Sequence, residues 1–159
     1  MDNTGFSLGQ LFPGAFPDDA ERRVTGLAFD SRKVAPGEAF VALAGAKADG
    51  AQFIADAAAR GAAAIVSGQP RPAGLAPGIA FDEVADPRRA LALAAAKVHP
   101  RQPATIVAVT GTSGKSSVAE FTRQIFMALG REAASLGTIG IVTAAGADYG
   151  SLTTPDPLS

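Results

Sequence analysis

A glycine-punctuated loop carries residue types that bind phosphate. It reads Thr110-Gly111-Thr112-Ser113-Gly114-Lys115-Ser116-Ser117. Glycines let the backbone approach an anion closely, and the amides of the loop and of a following helix carry positive partial charge. Lys115 would supply a full charge to the β- and γ-phosphates of a nucleotide, and the Ser116 hydroxyl is placed to bind a magnesium ion. The common form of this loop needs a glycine where Val109 stands, so the loop is a shortened variant.

The segments on either side of the loop are those that a phosphate-binding loop requires. Residues 105–110 are apolar or β-branched, which predicts a central parallel strand buried on both faces. Residues 116–129 predict a helix that ends at Gly130. Its apolar residues recur at helical spacing: Val118, Phe121, Ile125, Phe126 and Leu129. A chance Gly-Lys turn is the alternative, which the agreement of strand, loop and helix in type and order disfavours. Further strands are predicted at residues 133–136 and within 137–145.

The part of the chain before residue 100 alternates between strand and helix patterns. Strands are predicted at four places, residues 24–29, 39–43, 62–66 and 78–81. A helix is predicted at residues 51–60, with Gly61 ending it. A second helix begins after Asp86, its expected N-cap, and runs from Pro87 to about Val98. This alternation predicts an α/β fold.

A proline-rich segment, His99-Pro100-Arg101-Gln102-Pro103, predicts a linker between two domains. We therefore predict a small first domain over residues 1–100 and the start of a parallel-sheet, nucleotide-binding domain over residues 101–159. His99 is expected to be structural or exposed. An open sheet with so few strands would leave exposed edges, so we expect the chain to be part of a longer protein and to be inactive alone.

Composition excludes several classes of function. The 159 residues carry a formal net charge of −1, which gives no electrostatic footprint for nucleic acid or a membrane surface. There are no cysteines, so disulfides and thiolate metal sites are excluded. The first ten residues lack the pattern of a signal peptide, and the longest apolar stretch, residues 90–96, is too short to span a membrane. We expect a cytoplasmic protein, and a monomer.

Several segments together resemble one family of enzymes. The glycine loop is similar to the loop of the Mur ligases and of folylpolyglutamate synthetase. Residues 29–43 read F-D-S-R-K-V-A-P-G-E-A-F-V-A-L and resemble a segment of the first Mur ligase domain, which folylpolyglutamate synthetase lacks. Residues 46–50 (A-K-A-D-G) continue that match. Residues 135–140 (S-L-G-T-I-G) and 152–157 (L-T-T-P-D-P) resemble the family branch that adds the third residue of the peptidoglycan stem. The chain is thus identified by resemblance as a Mur ligase.

This resemblance implies an ATP-dependent amide-bond ligase of peptidoglycan precursor synthesis. Such an enzyme adds meso-diaminopimelate or lysine to UDP-N-acetylmuramoyl-L-alanyl-D-glutamate through an acyl phosphate, with ATP and Mg²⁺ as cofactors. It implies an ATP site at Gly111, Thr112, Ser113, Gly114, Lys115, Ser116 and Ser117, with Lys115 catalytic and Ser116 binding the metal. It implies contacts to the UDP-N-acetylmuramoyl-peptide from Phe29, Ser31, Ala46, Lys47, Ala48, Thr153 and Thr154.

The chain departs from the family pattern at Ser113, Ser116 and Ser117, where an asparagine and two threonines are usual. Serine still donates and accepts hydrogen bonds and still binds magnesium. Two alternatives remain open: a non-catalytic module that binds a UDP-sugar, and a generic phosphate-loop nucleotidase or kinase. The short loop and the Asp30-Ser31-Arg32 segment argue against the second alternative. Asp30-Ser31-Arg32 could also be only a turn that ends a strand.

Overall fold

The computed structural model of the protein describes residues 5–44, 49–148 and 158. The chain divides into two compact units, residues 1–102 with Leu158 and residues 103–157 with Ser159. The strands of the first unit are β1 Phe6–Ser7, β2 Arg23–Val24, β3 Leu27–Ala28, β4 Ala39–Ala42, β5 Ala64–Ser67 and β6 Ala80–Glu83. Its helices are α1 Leu8–Leu11, α2 Ile54–Ala59 and α3 Pro87–Val98, with 3-10 turns at Ser31–Lys33 and Gly50–Phe53.

A parallel sheet is the centre of the first unit. Its strand order is β3-β4-β5-β6, and every neighbouring pair is parallel. The strands β1 and β2 form a separate antiparallel ribbon. Because parallel strands all point the same way, the loops that follow β3, β4, β5 and β6 meet at one edge of the sheet. We call this edge the carboxyl edge.

Helices cover both faces of this sheet. Alternate residues of each strand point to opposite faces, so Val41 and Val66 join one apolar cluster while Phe40 and Ile65 join another. The first cluster includes Leu8, Leu11, Leu91 and Ala94 from α1 and α3. The second includes Ile54 and Ala57 from α2. Burial on both faces explains the continuous apolar runs of β4 and β5.

The ends of the helices in the first unit follow from local chemistry. Asp86 caps α3, because its Oδ1 accepts a hydrogen bond from the Arg89 amide at 2.9 Å. The chain leaves α2 at Gly61, whose φ of +94° suits glycine. The Ala62 and Gly61 amides then donate to the Ala57 and Ala58 carbonyls, which satisfies two carbonyls at the helix end.

The expected α/β fold is confirmed, with two differences in the first unit: the helix predicted at residues 51–60 is α-helical only at Ile54–Ala59, after the 3-10 turn Gly50–Phe53, and one predicted strand is divided. Residues 24–29 form two short strands rather than one. The first, β2, pairs with β1, whereas β3 pairs with β4, so the chain changes sheets between Val24 and Leu27. Thr25 lies at the change, and its amide donates to the Gly37 carbonyl.

The second unit contains one long helix and a small antiparallel sheet. The helix α4 is Lys115–Ala128, and the strands are β7 Ser135–Gly137, β8 Gly140–Val142 and β9 Ala147–Asp148. The strands pair in the order β7-β8-β9. The Ser135 hydroxyl donates to the Glu120 carboxylate at 3.1 Å, which joins β7 to α4. Glu120 also pairs with Arg123, and these hydrogen bonds, first the one from Arg123, lower the pKa of Glu120 to about 2.

The prediction of a buried central strand at residues 105–110 is wrong. These residues form no strand, and the side chains of Ile106 and Val107 are 75% and 55% exposed. A central strand needs hydrogen-bonded neighbours and helices on both faces, and the described part of the second unit supplies none beside this segment. The helix after the loop is confirmed, although its apolar face is exposed at Phe121 and Ile125. No helix within the described ranges is long and apolar enough to cross a membrane.

Candidate nucleotide and nucleotide-sugar sites

The glycine loop has a backbone that only its glycines adopt without strain. Gly111 and Gly114 have φ of +147° and +75°, in the region that side-chain-bearing residues rarely occupy. Added Cβ atoms would meet little, since nothing lies within 4 Å at Gly114. The loop therefore needs these glycines for its turn, and the open space beside them is available to a ligand.

Lys115 folds back over the loop that precedes it. Its Nζ donates to the Gly111 carbonyl at 2.6 Å and lies 3.3 Å from the Thr112 carbonyl oxygen. This places the ammonium group at the mouth of the loop, where it holds the loop carbonyls inward. The same charge is available to an anion bound against the loop amides.

The helix α4 begins directly after the loop. Its first hydrogen bond runs from the Val118 amide to the Gly114 carbonyl, so the amides of Lys115, Ser116 and Ser117 precede the intrahelical ladder. Such amides and the helix dipole favour an anion. The loop thus brings together a backbone concavity, a lysine and the Ser116 hydroxyl, as a nucleotide phosphate group requires.

A divalent cation would find few protein ligands here. Among the described residues no group of three or more His, Cys, Asp or Glu side chains is placed to hold a metal. Ser116 is half-buried at the start of α4 and offers one oxygen. Magnesium commonly keeps several waters and takes phosphate oxygens as ligands, so a single serine fits a cation that arrives with a nucleotide.

A second candidate site lies at the carboxyl edge of the sheet in the first unit. Phe29 follows β3 and packs partly against the first apolar cluster. The turn Ser31–Lys33 comes next. The loop after β4 is closed at its base by a bridge between Ala44 and Asp49. In open α/β sheets ligands bind at this edge, outside the carboxyl ends of the strands.

Asp30 fixes the shape of the turn Ser31–Lys33. Its Oδ1 accepts hydrogen bonds from the Arg32 amide at 3.1 Å and from Arg32 Nε at 2.9 Å, while its Oδ2 accepts from Nη2 at 2.7 Å. The side-chain hydrogen bond from Arg32 is the largest cause that lowers the pKa of Asp30 to about 2. Asp30 and Arg32 therefore stabilise the turn and leave the Ser31 backbone at the edge.

Ser31 is a buried residue and does not lie fully on the surface. Its residue is 5% exposed and packs against α2. Ser31 is the largest cause that lowers the pKa of the Asp56 carboxyl, and Arg60, whose Nε donates to both carboxylate oxygens, is the next.

An open depression of about 280 Å³ also lies at the carboxyl edge. The ends of β4 and β5 and the start of α3 line it, through residues that include Leu43, Ser67, Gln69 and Arg88. Arg88 donates from Nη2 to the Ala44 carbonyl at 2.9 Å and is the one cationic residue among the described lining, which also includes Asp49 and Asp86. Sequence reasoning missed Arg88 and Gln69. The signal that could have found them is their position after parallel strands and at a helix N-terminus.

Five predicted contacts lie outside the described residues. These are Ala46, Lys47, Ala48, Thr153 and Thr154. The described residues Ala44 and Asp49 pair with each other and line the depression at the carboxyl edge. Phe29 and Ser31 lie at the same edge, and the residues of the glycine loop lie in the second unit.

Comparison with known proteins assigns the family. Residues 23–99 match the profile described as Mur ligase family, catalytic domain. This match lies within the first unit and ends before the glycine loop, so it carries no evidence about Lys115. The chain belongs to the Mur ligase family.

Two curated relatives share the name of one particular ligase within this family. The chain is 60% identical over 143 residues to the UDP-N-acetylmuramoyl-L-alanyl-D-glutamate–2,6-diaminopimelate ligase of Bradyrhizobium diazoefficiens, covering 90% of this chain and 29% of the relative. It is 51% identical over 158 residues to the ligase of the same name from Rhizobium meliloti, covering 99% and 32%. The chain therefore spans about 30% of the length of these curated relatives.

Solved structures support the fold. A structure titled as a UDP-N-acetylmuramoyl-L-alanyl-D-glutamate–2,6-diaminopimelate ligase superposes with a TM-score of 0.76 at 24% identity, covering 97% of this chain and 31% of that one. At that identity the likeness shows the fold alone. A MurF structure from Acinetobacter baumannii superposes with a TM-score of 0.56 at 30% identity, covering 79% and 28%.

Proposed function

We propose that this chain carries the nucleotide-sugar site and the ATP loop of a ligase that adds diaminopimelate to UDP-N-acetylmuramoyl-L-alanyl-D-glutamate. The observation that carries the proposal is the 51% identity to a ligase of that name over 99% of this chain, a length that includes both candidate sites. The glycine loop belongs to the second unit, whereas Phe29 and Ser31 belong to the first, as a two-substrate reaction allows.

The glycine loop fits ATP. Gly111 and Gly114 provide the turn, the first amides of α4 face an anion, and the Lys115 ammonium lies at the mouth of the loop. Bound ATP would supply the phosphoryl group that activates the substrate carboxylate. Lys115 and the loop amides would hold and neutralise the phosphates, and Ser116 would offer one ligand to Mg²⁺.

The carboxyl edge of the first unit fits the nucleotide part of the sugar substrate. Phe29, the turn at Ser31 and the bridge between Ala44 and Asp49 lie at one edge of the sheet. Arg88 adds a guanidinium beside the depression, which suits the diphosphate of a UDP-sugar. We propose Phe29, Ser31, Ala46, Lys47 and Ala48 as its contacts, with Thr153 and Thr154 toward the muramoyl-peptide. The cytoplasm, where such precursors and ATP are found, is the proposed location.

Calorimetric titration of the 159-residue chain tests both assignments. We expect UDP-N-acetylmuramoyl-dipeptide and Mg²⁺-ATP to bind independently, so that saturation with one leaves the affinity for the other within about twofold. Competition between them, or binding of ATP without any binding of UDP compounds, would contradict the assignment and favour a generic nucleotidase.

A second candidate function is a UDP-sugar-binding module without catalysis. The observation in its favour is that the first unit has a covered sheet with two apolar clusters, whereas α4 in the second unit has no buried residue. Binding of UDP-N-acetylmuramoyl-dipeptide with no detectable binding of ATP would support this candidate over the first.

A further inference from the structure

Four residues flank residues 45–48 in the sequence and form what we call the loop base: Leu43, Ala44, Asp49 and Gly50. Ala44 forms an antiparallel bridge with Asp49. The Gly50 amide donates to the Leu43 carbonyl at 2.9 Å. Backbone contacts therefore hold the two sides of the loop base together, and three of the proposed nucleotide contacts lie between these two sides in the sequence.

Arg88 joins the loop base to α3. Its Nη2 donates to the Ala44 carbonyl oxygen at 2.9 Å, although the two residues are 44 positions apart in the sequence. Within the described ranges this is the one hydrogen bond of the Arg88 side chain. No carboxylate in those ranges forms an ion pair with it, even though Asp49 and Asp86 line the same depression. The contact is therefore made to the backbone of the loop base and not to a charged partner.

The start of α3 is a fixed support for this contact. Asp86 caps the helix, and Pro87 at its first position has a restricted φ. A Cβ added at Gly68, just after β5, would lie 3.2 Å from Pro87 Cγ, so the proline ring packs closely against the end of that strand. One turn further along, Leu91 is buried in the first apolar cluster. Arg88 thus extends from a backbone that is held against the sheet.

We propose that Arg88 is a positioning residue of the nucleotide-sugar site, which holds the loop base at the carboxyl edge through the Ala44 carbonyl. This inference rests on the proposed function, because it assumes that residues 46–48 contact the nucleotide of a UDP-sugar. A positive charge that acts on the diphosphate would affect only ligands with phosphate groups. A positioning role affects the binding of the nucleoside as well. Uridine, which has no phosphate, therefore distinguishes the two roles.

Two neighbouring arginines allow a matched test with uridine and UDP as the probes. Arg88→Met removes the donors of an exposed side chain, and Arg89→Met makes the same change at the next residue, whose exposed side chain forms no hydrogen bond within the described ranges. In NMR titrations we expect the affinity for uridine to fall about three- to tenfold in Arg88→Met and to stay within about twofold in Arg89→Met. Weaker binding of UDP with unchanged binding of uridine in Arg88→Met, or equal losses in the two variants, would overturn the proposal.

Hydrogen exchange of the Gly50 amide tests the same contact without a ligand, because this amide closes the loop base. We expect its exchange to be about threefold or more faster in Arg88→Met and unchanged in Arg89→Met. Arg88→Lys should restore part of the protection, since an ammonium group can donate to the same carbonyl. Unchanged Gly50 exchange in Arg88→Met would overturn the proposal while UDP still binds. If the wild-type chain binds neither uridine nor UDP, the proposed function itself fails, and the positioning role fails with it.

Discussion

The two units use similar apolar residues in opposite ways. In the first, Phe40 on β4 is 1% exposed and lies between the sheet and α2. In the second, Phe121 on α4 is 61% exposed, and the helix has no buried residue. Both phenylalanines stand in sequence patterns typical of a packed element. The difference is that the first unit contains the partners of its pattern and the described part of the second does not.

This contrast distinguishes structure that depends on neighbouring residues in the sequence from structure that depends on long-range packing. The glycine loop and α4 need only glycines with positive φ, helix-forming residues and a terminating Gly130. The sheet β3-β4-β5-β6 needs long-range hydrogen bonds and helices on both faces. The chemistry assigned to the second unit can thus be local, whereas the site in the first unit depends on the whole sheet.

The largest difference is expected for matched truncations of the two phenylalanines. Phe40→Ala removes a buried ring and should lower the free energy of unfolding of the first unit by about 3–5 kcal/mol. Phe121→Ala should change the free energy of unfolding of the second unit by no more than about 0.5 kcal/mol. Urea denaturation followed by circular dichroism measures both. Similar losses in the two variants would mean that α4 is buried in solution and would break the comparison.

The next largest effect is expected at Gly50, whose backbone lies close to Leu43 at the end of β4. A Cβ at this residue would lie 2.5 Å from the Leu43 carbonyl oxygen and 2.6 Å from its amide nitrogen. Both are backbone atoms, so Gly50→Ala should cost about 2–3 kcal/mol and disturb the base of the loop after β4. Gly74→Ala, with nothing within 4 Å, is the matched control and should be nearly neutral. Equal stability of the two variants in urea would contradict the geometry at Gly50.

A change in the glycine loop should affect binding and leave stability alone. Lys115→Met removes the charge at the mouth of the loop, so the affinity for Mg²⁺-ATP should fall about tenfold or more. The melting temperature should not change, because Lys115 is exposed. Arg131→Met removes one exposed positive charge from the same unit and should preserve ATP binding. Loss of ATP affinity in both variants would indicate a general charge effect instead of a specific role for Lys115.

The smallest effect concerns acid stability of the first unit. The pKa of Asp30 is lowered from 3.8 to about 2 in the folded chain, so its contribution is complete above the unfolded value. That contribution is lost as pH falls from about 4 to about 2. Because Arg32 is largely exposed, the loss should be at most about 1 kcal/mol. Melting temperatures of wild type and Asp30→Asn between pH 7 and pH 2 should converge at the acid end; a constant difference would contradict the linkage.

Sequence reasoning succeeded where the signal was local. Asp86 and Pro87 fixed the start of α3, and Gly61 fixed the end of α2, because caps and turns depend on a few neighbouring residues. It failed at residues 105–110, because a β-branched apolar run indicates a strand only where partners exist. It predicted Ser31 but did not include Arg88 and Gln69, which line the depression, because contacts between residues far apart in the sequence produce no periodic pattern.

The assignment of one ligand to each unit is tested most directly by mapping amide chemical shifts in NMR spectra during separate titrations with UDP and Mg²⁺-ATP. The account predicts that UDP shifts amides at the carboxyl edge, around Ser31, Ala44 and Arg88, while ATP shifts those of residues 111–117. Shifts from both nucleotides confined to the glycine loop, with the carboxyl edge unaffected by UDP, would contradict it.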